Sequence, residues 1–209
     1  MKNIAIIDCG AGNLHSVRKA FAHVAPTETV RVITDAKELD SATHIVLPGV
    51  GAFADCMAGL SALSGMKEAL EKKVRHGGTP FLGICVGMQM LFERGHEFGT
   101  HEGLGWFKGE VKKLTPSDDT LKIPHMGWGV LQPKSDHPIF NGIPHGAHAY
   151  FVHSYHAVGA STNEVLATVD YGGDIVAIIG RDNIVATQFH PEKSQRVGLQ
   201  LIRNFLGMK

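Results

Sequence analysis

The chain has 209 residues, 44% of them apolar. That is close to one domain on a scale of roughly 150 residues each, and enough apolar material to bury about 70% of the surface the unfolded chain exposes, which excludes disorder as the dominant state. Lys and Arg number 20 and so do Asp and Glu, so no basic field exists to neutralise phosphates and nucleic acid is not an expected partner. The longest apolar runs, at 45–48 and 176–179, fall far short of the roughly 20 residues a bilayer span needs. The run at 4–7 is too short for a secretion-signal core of about 7–15 residues, which predicts a cytoplasmic chain with no membrane partner. Cys9, Cys56 and Cys85 form no CxxC pair, and a reducing compartment would keep them as thiols.

Taken in order, residues 3–8 read as an apolar strand that stops at Cys9-Gly10-Ala11-Gly12-Asn13, after which Leu14, Val17, Phe21 and Val24 recur at helical spacing. Strands follow at 29–33 and 43–49, then a helix-like stretch running through residues 66–78. A further strand at 79–85 leads into a helical pattern from Val86 to Gly95. Short apolar strands alternating with helices predict a mostly parallel central sheet with flanking helices, an α/β fold. From about Gly105 the pattern changes to strand-like segments near 105–114, 128–132, 150–158, 164–170, 174–180 and 183–189, an added antiparallel section. Arg181-Asp182-Asn183 has hairpin-turn chemistry. A closing helix is expected from Ser194, its N-cap, burying Val197, Leu201, Ile202 and Phe205 before Gly207. Nothing divides the chain, so residues 1–209 are read as one domain.

The strongest chemical signal is Gly83-Ile84-Cys85-Val86-Gly87, a G-x-C-x-G between strand and helix patterns. It has the form of a nucleophile elbow with sulfur in place of the serine hydroxyl. A free thiol with pKa near 8.5 is only about 3% ionised at pH 7, so the amides and dipole of the following helix are expected to favour the thiolate. The Val86 amide would point at a developing oxyanion, and losing one such donor typically costs about 2.7–4 kcal/mol. Pro48-Gly49-Val50-Gly51 ends a neighbouring strand at the same sheet edge and could supply the second donor. A buried structural thiol is the ordinary reading for Cys9 and Cys56, which lack such a setting.

A nucleophilic cysteine needs a base. In Gln188-Phe189-His190-Pro191-Glu192, extended backbone would put positions 190 and 192 on one side, so that Glu192 could orient His190 toward the thiol. Alone the motif reads as a solvated turn; beside the elbow it makes a candidate triad. Among 13 histidines the densest group is His145, His148, His153 and His156. In one continuous strand His153 and His156 would face opposite sides, and no spacing resembles a ligand set, so no metal and no cofactor is expected. Gly10-Ala11-Gly12 lacks the third glycine of a dinucleotide fingerprint, His15 standing there, and reads as a tight turn.

Together, the motifs at 48–53, 83–89 and 188–194 closely resemble those of class I, triad-type glutamine amidotransferases over nearly the whole chain. Residues 7–17, 125–128 and 150–156 look like the glutaminase subunits of imidazole glycerol phosphate synthase. The resemblance implies a flavodoxin-like class I amidotransferase fold and hydrolysis of L-glutamine through a cysteine thioester. It implies Cys85, His190 and Glu192 as catalytic residues, and Val50, Gly51 and Val86 as the oxyanion hole. Gly51, Gln89, Ser154 and Tyr155 would hold glutamine. It further implies a heterodimer with a cyclase subunit, a β/α barrel that takes the ammonia, with Met126 and Trp128 suited to the interface or, equally, to ordinary core. The family's HMGWN stands here as His125-Met126-Gly127-Trp128-Gly129, a departure at the last position. The alternatives are a glutaminase feeding another synthase, such as that for pyridoxal phosphate, a cysteine peptidase or esterase on the same elbow, and a non-catalytic binding module.

Overall fold

The computed structural model describes residues 1–209. The first half runs β1 (Asn3–Ile7), α1 (Leu14–Val24), β2 (Thr29–Ile33), β3 (His44–Gly49), α2 (Phe53–Ala62), α3 (Met66–Leu70), β4 (Phe81–Cys85) and α4 (Val86–Gln89). Two short strands follow, β5 (Arg94–Gly95) and β6 (His101–Glu102), then β7 (Glu110–Lys113), β8 (His125–Val130) and β9 (Gln132–Pro133). The last third holds β10 (His148–His153), β11 (Tyr155–Val158), β12 (Val165–Asp170), β13 (Asp174–Arg181), β14 (Ile184–Thr187) and α5 (Gln195–Leu206).

An eight-stranded sheet in the order β2-β1-β3-β4-β14-β13-β12-β9 forms the middle layer. Its first five strands are parallel and the remainder antiparallel. Every residue of β3 and of β4 is buried, which explains their unbroken apolar character, since a parallel strand is covered on both faces. One contiguous core of 55 residues runs through the sheet and its helices. Helix α1 begins where Asn13 accepts a bond from the Ser16 amide and buries Val17, Ala20 and Phe21. The β13–β14 hairpin pairs Arg181 with Ile184, leaving a two-residue turn with Asp182 at φ 54°, as the turn chemistry predicted.

The structure departs from the sequence reading in four places. The helix expected over Val86 to Gly95 is a single turn, α4. The amides of Gly103, Leu104, Gly105, Trp106 and Phe107 take the carbonyls of Met90 to Glu93, acceptors a longer helix would have used for itself. The strand expected over 150–158 breaks at Ser154, whose carbonyl accepts from the Leu114 amide; β10 pairs with β8, whereas β11 pairs with β7 in another sheet. Within the stretch 66–78, α3 gives way over Glu71–His76 to wider π-type turns. Ser194 stands before α5 but makes no side-chain cap. Its hydroxyl donates to the His190 carbonyl at 2.6 Å and accepts from the Tyr150 amide at 2.9 Å.

Candidate active site

The carboxyl ends of β3, β4 and β14 lie side by side, with Gly49 opposite Cys85 and Ile84 opposite Thr187. Cys85 ends β4 at φ 55°, ψ −111°, a region that costs a non-glycine residue about 1–3 kcal/mol and survives only where packing dictates it. Packing does so here. A Cβ on Gly87 would stand 1.9 Å from the Leu47 carbonyl oxygen, and one on Gly49 2.8 Å from the Gly87 nitrogen. The missing side chains let the two strands and the turn after Cys85 close together, and the sulfur is carried to the tip. Because α4 is one turn long, its dipole is short.

His190 faces that tip. Its backbone amide donates to the Tyr150 carbonyl at 3.0 Å, and Nδ1–H donates to Glu192 Oε1 at 2.8 Å, both side chains being almost wholly buried. Since a carboxylate only accepts, Nδ1 carries a proton in either charge state, and Nε2, without a hydrogen-bond partner, is left free for the reacting groups. The pair does not form by strand alternation. Pro191–Lys193 is a 3-10 turn, whose Pro191 fixes the first φ and brings Glu192 back under the ring. Burial acts to lower the His190 pKa, but the neighbouring Cys85 sulfur and the Glu192 carboxylate together push it up to about 10. Both neighbours favour the charged ring over the neutral one.

The loop before α2 completes the rim. Cys56 Sγ donates to the Val50 carbonyl at 3.5 Å, while the single Cys9 S–H lies between the Ala11 carbonyl at 3.7 Å and the Pro48 carbonyl at 3.8 Å. Burial pushes the Cys9 thiol up and the Cys56 thiol up to about 12, so both remain S–H donors. With the Val50 carbonyl tied to Cys56, the trans peptide turns the Gly51 N–H the opposite way. Cys56, structural in the sequence reading, pins the loop that carries the candidate oxyanion donors.

A cavity of about 650 Å³ opens over Cys85 and brings together Val50, Gly51, Val86, Gln89, Ser154, Tyr155 and His190. Glu192 lies behind His190 and does not line it. Gln89 Nε2 donates to the Tyr155 carbonyl at 2.9 Å and to Gln188 Oε1 at 3.1 Å, so Oε1 is the atom Gln89 can offer a ligand. The sequence reading missed Asn13, Glu97, Phe98 and Lys193, which also line the cavity. Glu97 Oε2 accepts from the Phe53 amide at 2.9 Å, and Phe98 stands 87% exposed beside it. Glu97 and Phe98 arrive on the connection between β5 and β6, which no motif announced; Asn13 caps α1 and Lys193 ends the turn after His190, both inside stretches that the sequence reading had singled out without assigning them to the site. Gln188, whose Nε2 donates to Cys85 Sγ at 3.8 Å, stood in the sequence motif two residues before His190 but was given no role.

Met126 and Trp128 lie on β8, away from the thiol. They are not core: Met126 is 63% exposed, Trp128 48% and Val130 41%, an apolar stripe on one strand face. At Gly129 a Cβ would meet Val169 Cγ2 at 2.6 Å, so the packing of β8 on β12 leaves little room for a side chain there.

A strained cysteine at a strand tip, a histidine held by a buried carboxylate, and a candidate oxyanion loop at the same sheet edge form the arrangement that a cysteine-dependent hydrolase of the triad class requires. Residues 5–208 match the family described as glutamine amidotransferase class-I. The imidazole glycerol phosphate synthase subunit HisH of Brucella suis biovar 1 (strain 1330) is 54% identical to this chain, with 99% of each covered. That of Rhodopseudomonas palustris is 50% identical, again with 99% of each covered. Among solved structures, PurLQS from Thermotoga maritima superposes with a TM-score of 0.75 at 18% identity, covering 99% of both chains. The Trypanosoma brucei CTPS glutaminase domain gives 0.65 at 16%, over all of this chain and 95% of that one. The chain belongs to the class I glutamine amidotransferase family and, within it, to the HisH group of imidazole glycerol phosphate synthase subunits.

Proposed function

We propose that this chain hydrolyses L-glutamine and passes the ammonia to a cyclase subunit that makes imidazole glycerol phosphate. The observation that carries the chemistry is the His190–Glu192 pair at 2.8 Å, opening onto the cavity at whose base Cys85 stands strained. Cys85 Sγ attacks the carboxamide carbon, and the oxyanion that forms is met by the amides of the Val50–Gly51 loop and Val86. Collapse breaks the C–N bond, His190 delivering its proton to the departing ammonia. The thioester is then opened by a water that gives a proton back to His190, releasing glutamate and the thiolate. Glu192 keeps the ring oriented throughout.

Glutamine would be held by Gln89 Oε1 and by the Ser154–Tyr155 segment, with the Glu97 carboxylate placed to meet its ammonium group. Ammonia released into neutral water is largely protonated and no longer a nucleophile, so the acceptor site must adjoin this one. The exposed stripe of Met126, Trp128 and Val130 suits that interface, since aromatic residues and Met are enriched at contacts. The names of the curated relatives support the assignment to imidazole glycerol phosphate synthase over a synthase for pyridoxal phosphate. Work in the cytoplasm fits a nucleophilic thiol that must stay reduced.

The test is co-purification with candidate β/α-barrel cyclase chains followed by a glutamine-dependent synthase assay. Complex formation with product made from glutamine is expected. Glutamine hydrolysis without any cyclase partner accepting the nitrogen would overturn the assignment of the pathway, and peptide cleavage in place of ammonia release would overturn that of the substrate.

A further inference from the structure

Besides His190, the Cys85 sulfur has one other polar side chain against it: Gln188, fully buried, with its Nε2 at 3.8 Å. Whether a carboxamide presents its N–H or its oxygen to a neighbour is set by the bonds at its other end. Gln188 Oε1 accepts from Gln89 Nε2 at 3.1 Å, and Gln89 Nε2 is fixed in turn by donating to the Tyr155 backbone carbonyl at 2.9 Å. A carbonyl has no donor to exchange, so Gln89 cannot reverse without losing both bonds.

The same carbonyl accepts from His153 Nδ1 at 2.9 Å. That places the His153 proton on Nδ1, makes its Nε2 a lone pair, and requires the His125 Nδ1 facing it at 3.2 Å to be the donor. His125 is clamped between the rings of Phe151 and Tyr171, with centroids 4.9 and 3.9 Å away. Burial lowers the His153 pKa to about 3 and that of His125 to about 4. Both rings are therefore neutral at pH 7 and can share a hydrogen bond rather than repel. The Tyr155 carbonyl can only accept, so it orients Gln89 and, through Gln89, Gln188, while His153 anchors that carbonyl in place from its other side. A reversed Gln188 would set its NH₂ against that of Gln89 and aim an oxygen lone pair at the sulfur, disfavouring the thiolate.

We propose that the buried chain running from His125 through His153, the Tyr155 carbonyl and Gln89 holds the Gln188 carboxamide with its N–H toward Cys85 Sγ, so that Gln188 stabilises the attacking thiolate and His153 acts as a positioning residue for it. The inference rests on Cys85 being the nucleophile.

The test measures iodoacetamide alkylation of Cys85 in the full-length chain at pH 7, read on the peptide that carries it, alongside kcat and KM for glutamine in the cyclase complex. Gln188→Met, similar in length but without a donor, should slow alkylation about tenfold, the scale of one hydrogen bond to a charged group, and lower kcat with KM within twofold. Gln188→Glu, which puts a carboxylate beside the sulfur, should slow it further. His153→Leu should reproduce the defect from two bonds away. His153→Asn, which keeps a donor near the Nδ1 position, should restore the rate to within twofold of wild type. Cooperative melting shows which variants fold, and the Gln188 and His153 pairs each provide a second variant if one does not. A folded Gln188 variant alkylated at the wild-type rate overturns the inference, as does His153→Leu with an unchanged kcat. Alkylation that responds as expected in a chain whose wild type does not turn over glutamine would instead defeat the functional reading and leave the thiolate argument standing.

Discussion

Gly198 offers a test in which two ordinary effects oppose each other. It lies in α5, where Gly→Ala normally favours the helix by about 0.8–1 kcal/mol. Here a Cβ would stand 1.8 Å from the Pro191 carbonyl oxygen and 2.6 Å from its carbon, both backbone atoms. Relief to an ordinary separation of about 3.4 Å needs roughly 1.6 Å of movement between α5 and the 3-10 turn that carries Glu192. Overpacking of this kind costs about 1–3 kcal/mol, so the helix gain is outweighed and net stability should fall by about 0–2 kcal/mol. The larger consequence is catalytic: a displacement near 1 Å at a reacting group can cost about 10²-fold, and the His190–Glu192 pair sits on the segment that must move. Thermal melting and steady-state glutaminase assay of Gly198→Ala should give a slightly lower Tm and a kcat reduced by about 10²-fold, KM changing little. A variant that melts higher and keeps its kcat would refute the claim that close approach of α5 sets the base.

Glu192→Gln removes the negative charge that favours the imidazolium and lets an amide N–H donate to Nδ1, so that the ring loses its fixed orientation and part of its acid form; kcat should fall by about 10³-fold with KM nearly constant, and an unchanged rate would show the carboxylate to be dispensable. The histidines also shape stability against pH. The His190 pKa, raised to about 10, contributes stability that is complete below about 6.5 and lost as pH rises toward 10. His44, His125 and His153 are lowered by burial to about 4, 4 and 3, so their contribution is complete above about 6.5 and lost as pH falls toward 4. Tm should therefore peak between about pH 6 and 7, and a Tm still climbing toward pH 9 would contradict the charged His190. Glutaminase activity of the isolated chain should be low and rise at least tenfold with the cyclase subunit and its ligand, whereas full activity alone would deny the coupling.

What the sequence disclosed followed from local rules. Buried parallel strands must be continuously apolar, so β3 and β4 were visible; a sulfur between two glycines could be read as an elbow because the close approach at Gly87 admits no side chain. Ser194 and the stretch after Gln89 misled for one shared reason. Their local patterns were sound helix signals, but tertiary partners took the same groups: Tyr150 and His190 claim the Ser194 hydroxyl, and residues 103–107 claim the carbonyls of the missing helix. Glu97 and Phe98 could not be found in advance, since a loop's residues reach a cavity only through the path of the whole chain. The break at Ser154 likewise arises from pairing with distant strands, and the register of β10 on β8 sets His153, a discarded metal candidate, opposite His125.

The central claim is that the Cys85 sulfur forms a covalent bond to the glutamyl carbon. Acid quenching of the working complex during turnover, followed by mass analysis of the peptides bearing Cys85, Cys9 and Cys56, measures it directly. The account predicts one added glutamyl group on the Cys85 peptide alone, absent from Cys85→Ala, which should fold normally and release no ammonia. Turnover that leaves the Cys85 peptide bare, or persists in Cys85→Ala, would contradict it.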